Sequence, residues 1–82
     1  MDDKDVIEKT VTAIIEEVLG EPPGTVGKEE PLAARDWDST ASLEALAQLE
    51  SRFGISLDLR RFHTARTIGQ MADLVAVEAG AR

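Results

Sequence analysis

The 82-residue chain has no cysteine and no tyrosine, and only one tryptophan, two phenylalanines and one histidine. Without cysteine it can hold neither a disulfide framework nor a thiolate metal site. With so few aromatics among 43% hydrophobic residues, the core must be built from aliphatic side chains, which suits packed helices. No apolar run approaches the length of a membrane span, and the acidic N-terminus lacks the basic-then-apolar order of a signal peptide. The expectation is therefore a cytoplasmic protein, monomeric and away from membranes. Basic residues are scarce as well: nine Lys and Arg against sixteen Asp and Glu leave a net charge of −7. That balance repels nucleic acid and anionic lipid and favours basic partner surfaces. The charge is unevenly placed, with 13 acids and 4 bases in residues 1–50 but 3 acids and 5 bases in residues 51–82.

The length fits one domain, 1–82, near the lower limit at which a core alone holds a fold. From about Asp3 to Leu19, Ile7, Val11, Ile14 and Val18 recur at helical spacing, widened by Ile15 and Leu19. Glu8, Lys9, Glu16 and Glu17 help fill the polar remainder, and Asp2, Asp3 and Asp5 sit near the positive end of the helix dipole. Gly20 stops this helix, and Pro22-Pro23 prevent a restart. Residues 20–37 form a long loop that Val26, Leu32 and Trp37 could pin to the core; loops of this length are usually functional or disordered.

A second amphipathic helix begins near Ser39, with Leu43, Leu46, Leu49 and Phe53 expected on one buried stripe and Gly54 as its stop. Ile55 to Leu59 alternates apolar and polar as a strand would, but no second strand candidate exists to pair with it. An extended linker and a short helical turn near Leu59–His63 are expected instead. Thr67 and Gln70 have capping-box spacing, and Ile68, Met71, Ala72 and Val75 predict a last helix to about Ala79, with Gly69 a modest weakness in its first turn. The predicted fold is all-α: a small four-helix bundle of three main helices and one short one, with a long first loop.

Asp38-Ser39, Glu44, Leu49-Glu50 and Phe53-Gly54-Ile55, set in this helix plan, resemble the acyl and peptidyl carrier proteins. The resemblance covers nearly the whole chain. It implies an acyl-carrier-protein-like bundle in which Ser39, preceded by Asp38, accepts a covalent 4′-phosphopantetheine arm. That arm would hold acyl or aminoacyl intermediates as thioesters. It would also supply the sulfur for the chemistry, since the only sulfurs in the chain are those of Met1 and Met71. The implied partners are a phosphopantetheinyl transferase and enzymes that load or use the cargo: a ligase or adenylation enzyme, an acyltransferase or a synthase. The implied docking face of the second helix is Thr40, Glu44, Ala47 and Ser51, spaced four, three and four apart.

The chain departs from the family pattern in places. Thr40 follows the serine where Leu or Met is usual; Ala47 and Ser51 are small; Asp36-Trp37 replace a Gly-containing turn; and Arg60, Arg61 and Arg66 make the third helical region basic. These departures leave the modification site intact and point away from fatty-acid synthesis, towards polyketide, nonribosomal-peptide or related specialised pathways.

Simpler readings stand beside this one. Either Asp38 or Ser39 could merely cap a helix, and His63, outside any motif, reads as a surface or half-buried side chain. Asp36 and Asp38 lack the ligand density of a metal site, so no metal is expected. Ser39 has no partners for nucleophilic catalysis, so no enzyme activity is expected. A helix-turn-helix DNA binder fails because Glu44 and Glu50 oppose one Arg52 on the would-be recognition helix. The rival function is a small acidic helical interaction module without a prosthetic group.

Overall fold

The computed structural model describes residues 3–80. Asp2, assigned above to the helix dipole, lies outside them, as does Met1. Helix α1 runs Asp3–Leu19, α2 Ser39–Phe53, α3 Leu59–Thr64 and α4 Ile68–Glu78, with a 3-10 turn at Leu32–Arg35 in the long first loop. Among the described residues there is no strand, and residues 55–58 form a linker without regular secondary structure, extended at Asp58. α1 packs most extensively on α4 and then on α2, while α3 closes the bundle against α2 and α4.

The predicted stops are the observed ones. Gly20 and Gly54 both take the left-handed conformation, at φ 72° and 64°, which glycine enters without steric cost. The Gly54 N–H donates to the Glu50 carbonyl at 2.9 Å, closing α2. At α4 the Thr67 hydroxyl accepts from the Gln70 N–H at 3.2 Å, but the reciprocal bond is displaced by one residue, because Gln70 Oε1 accepts from the Arg66 N–H at 2.6 Å. Gly69 is more than a weak helix former. Its N–H donates to the Lys28 carbonyl at 2.8 Å, and a Cβ there would stand 3.3 Å from that oxygen. The first loop thus lies directly against the start of α4.

The core is aliphatic with one aromatic, Phe62, fully buried among Val11, Ile15, Leu32, Leu49, Ile68, Met71 and Val75. On α2 the buried stripe differs from the one predicted. Ser42, Ala45, Leu46 and Leu49 face inward, Phe53 is only partly buried, and Leu43 is 50% exposed. Each step of three residues falls about 60° short of a full turn, so Leu43, Leu46 and Leu49 span about 120° and cannot all face one core. The helix turns its small residues Ser42 and Ala45 inward and leaves Leu43 outside.

A second difference concerns Glu16, predicted on the polar face of α1 but 4% exposed. Its Oε2 accepts from the Gly24 N–H at 2.8 Å and the Val26 N–H at 3.1 Å. A buried carboxylate is tolerable only with such partners, and here they come from the first loop. Val26 and Leu32 are buried and Trp37 is partly buried against the core, as expected. Arg35 completes the loop's anchoring. Its guanidinium donates to the Thr25 carbonyl at 2.9 Å, pairs with Glu21 at 3.2 Å and hydrogen-bonds Glu30 through Nε. Hydrogen bonding from Arg35 holds the Glu30 carboxyl below the usual carboxylate range, and the same bond raises Arg35 further.

Candidate functional site: the mouth of α2

The first loop delivers the chain to α2 through one unusual backbone position and one ordinary helix cap. Asp36 adopts the left-handed conformation, at φ 59° and ψ 33°, which aspartate tolerates better than most residues. Asp38 is extended and serves as the N-cap, its Oδ1 accepting from the Ala41 N–H at 2.8 Å. Of the two capping candidates in the sequence, the structure selects Asp38. Ser39 is the first residue of α2 and is exposed, and its hydroxyl makes no hydrogen bond among the described residues. The positive end of the α2 dipole lies beside it, an environment favourable to an attached anion such as a phosphodiester.

Thr40, Glu44, Ala47 and Ser51 are all exposed along α2, so the predicted docking stripe is accessible from end to end. Leu43, one turn beyond Ser39, is exposed beside it. Ala47 and Ser51 line an open groove against α1, together with Ile14, Glu17, Gln48 and Arg52. Glu50 does not belong to the free acidic surface, because its Oε2 accepts from the Leu57 N–H at 2.8 Å and holds the linker to α3.

His63 is exposed, as expected, but not idle. Its Nδ1 lies 2.9 Å from the Ser42 hydroxyl, joining α3 to α2 one turn below Ser39 and satisfying a hydroxyl only 2% exposed. Nothing in the sequence announces this pair, since residues 42 and 63 meet only once α3 has packed on α2. Asp36 and Asp38 do not converge with further ligands, and among the described residues no cluster of three or more potential metal ligands occurs. No described helix is long and apolar enough to cross a membrane.

The sequence model of the phosphopantetheine attachment site family matches residues 9–75, from the second turn of α1 to α4. The chain belongs to that family. Its members are non-catalytic carriers of the phosphopantetheine type, so this chain is a carrier protein rather than an enzyme. Comparison with curated protein sequences gives no significant match.

Solved structures agree on the fold. BlmI, a type-II acyl carrier protein from Streptomyces verticillus involved in bleomycin biosynthesis, superposes with a TM-score of 0.81 at 27% identity, over 90% of this chain and 87% of its own. The acetyl actinorhodin acyl carrier protein from Streptomyces coelicolor gives 0.65 at 27% identity, over 84% and 90%. The holo acyl carrier protein from Geobacter metallireducens, 23% identical over 89% and 85%, shares the fold at a TM-score of 0.74.

Proposed function

We propose that this carrier holds acyl or aminoacyl intermediates as thioesters on a 4′-phosphopantetheine arm attached to Ser39. The observation that carries the assignment is the division of labour at the mouth of α2. Asp38 caps the helix, which leaves Ser39 exposed and its hydroxyl unbonded among the described residues. In the attachment reaction Ser39 Oγ displaces adenosine 3′,5′-bisphosphate from coenzyme A, forming a phosphodiester and giving up the hydroxyl proton. The base that accepts this proton belongs to the phosphopantetheinyl transferase, because among the described residues no side chain hydrogen-bonds the hydroxyl. The arm supplies the thiol that the cysteine-free chain lacks. Similarity to carriers of bleomycin and actinorhodin biosynthesis, together with Thr40 and the small Ala47 and Ser51, favours polyketide, nonribosomal-peptide or related specialised pathways.

Partners that load or use the cargo would dock on Thr40, Glu44, Ala47 and Ser51. The groove beside Ala47 and Ser51 admits an opposing side chain, so recognition would lean on shape more than on charge. Intact mass after incubation with coenzyme A and a broad-specificity transferase tests the attachment. Wild type should gain one arm and Ser39→Ala none; addition persisting in Ser39→Ala, or absent from wild type with several transferases, overturns the assignment.

A further inference from the structure

The cations of this chain divide sharply. Lys4, Lys9, Lys28 and Arg35, all in the acidic half, each pair with a carboxylate. Arg52, Arg60, Arg61 and Arg66 pair with none among the described residues, and all four are exposed. Around α3 several carboxylates and one amide are engaged by other groups rather than by these guanidinium groups. The Asp58 carboxylate caps α3, accepting from the Arg60 and Arg61 backbone N–H groups at 2.9 and 3.2 Å. Gln70 Oε1 takes the Arg66 N–H, Asp73 takes Lys4 at 2.9 Å, and Glu50 takes the Leu57 N–H.

α3 packs against both α2, where His63 meets Ser42, and α4. Between α3 and α4 lies an open notch lined by Arg61, Thr64, Ala65, Gln70, Asp73 and Leu74. Ala65 and Leu74 are partly buried against the core and form its apolar floor. Arg61 is among its lining residues, and Arg66, outside the lining, follows Ala65 in the connection to α4.

We propose that this notch is a second docking surface, separate from the α2 stripe, for an acidic segment of a partner protein. The segment would place an apolar side chain on Ala65 and Leu74 and carboxylates on Arg61 and Arg66. Guanidinium groups without internal partners suit this, since they bind carboxylates through two parallel N–H donors. A short segment senses the local cations within a Debye length of about 8–10 Å. An extended polyanion or an anionic membrane would instead meet the net charge of −7 of the whole chain. This surface stands whether or not Ser39 carries the arm.

The test is amide chemical-shift mapping of the isotope-labelled protein with a synthetic amphipathic peptide in which Asp and Glu flank a single Leu. Shifts should centre on Arg61, Ala65, Arg66, Gln70 and Leu74 and weaken with salt. Arg61→Glu should bind the peptide about tenfold more weakly, whereas Arg52→Glu, with the same change of net charge, should bind like wild type. If Arg61→Glu disturbs the spectrum of the free protein, Arg61→Gln replaces it and should lose affinity in the same direction. Several outcomes overturn the proposal: no shifts, shifts confined to α2, equal losses for Arg52→Glu and Arg61→Glu, or equal binding of phosphatidylglycerol vesicles or oligothymidylate. Shifts at the same amides on raising protein concentration alone would assign the notch to a second copy, and also overturn it. Attachment of the arm to Arg61→Glu, measured by mass, reports on the carrier reading separately.

Discussion

Replacing Asp38 by Ala would leave the Ala41 N–H without its acceptor at the start of α2, and loss of an N-cap typically costs about 0.5–2 kcal/mol. Ser39→Ala removes a hydroxyl that bonds nothing among the described residues, so its unfolding free energy should stay within about 0.5 kcal/mol of wild type. Urea titration of both variants checks the contrast, and equal losses would mean that the serine shares the capping. The sequence narrowed the cap to two adjacent residues but could not choose between them, because either side chain type satisfies a first-turn N–H. Glu16 was harder still to read. Its position on α1 resembled that of any solvated glutamate, and its two N–H partners come from a loop whose path the sequence does not dictate. Glu16→Ala should orphan the buried Val26 N–H at about 1–3 kcal/mol, leave the exposed Gly24 N–H to water, and raise hydrogen exchange at both.

Among the elements, α2 shows where periodicity informs and where it stops. The helix, its glycine stop and the inward Leu46 and Leu49 were legible, because hydrophobic spacing and a left-handed glycine leave few alternatives. The rotation about its axis was not, since three leucines three residues apart are compatible with more than one inward face. Leu46→Ala should therefore cost about 2–5 kcal/mol, while Leu43→Ala should change stability by less than about 0.5 kcal/mol. On the outer face, Glu44→Arg should slow loading by a cognate enzyme, with a penalty that shrinks as salt rises. Ala47→Trp, filling the groove against α1, should block loading at any ionic strength while the helical circular dichroism spectrum is preserved. In α4, Gly69→Ala would gain helix propensity on an open surface. Here it should instead destabilise, because the new methyl meets the Lys28 carbonyl that Gly69 itself holds.

For the whole molecule, acid is the informative variable. A carboxyl held below its ordinary range in the folded state adds stability that is present above its unfolded value, about 4.3, and lost as pH falls through the lowered one. Glu30 is such a group, through its hydrogen bond from Arg35. Below about pH 4 the first loop should loosen at Thr25 and Gly27, as read by hydrogen exchange, and Glu30→Gln should show the same loosening at neutral pH.

The pairing of α1 with α4 has a kinetic consequence. The two helices farthest apart along the chain share the most extensive interface, so the largest block of native contacts is also the least local. Chain entropy must be surrendered across the whole middle of the sequence before those contacts form. Folding should therefore run slower than in a bundle whose neighbours in sequence are also its closest partners in space.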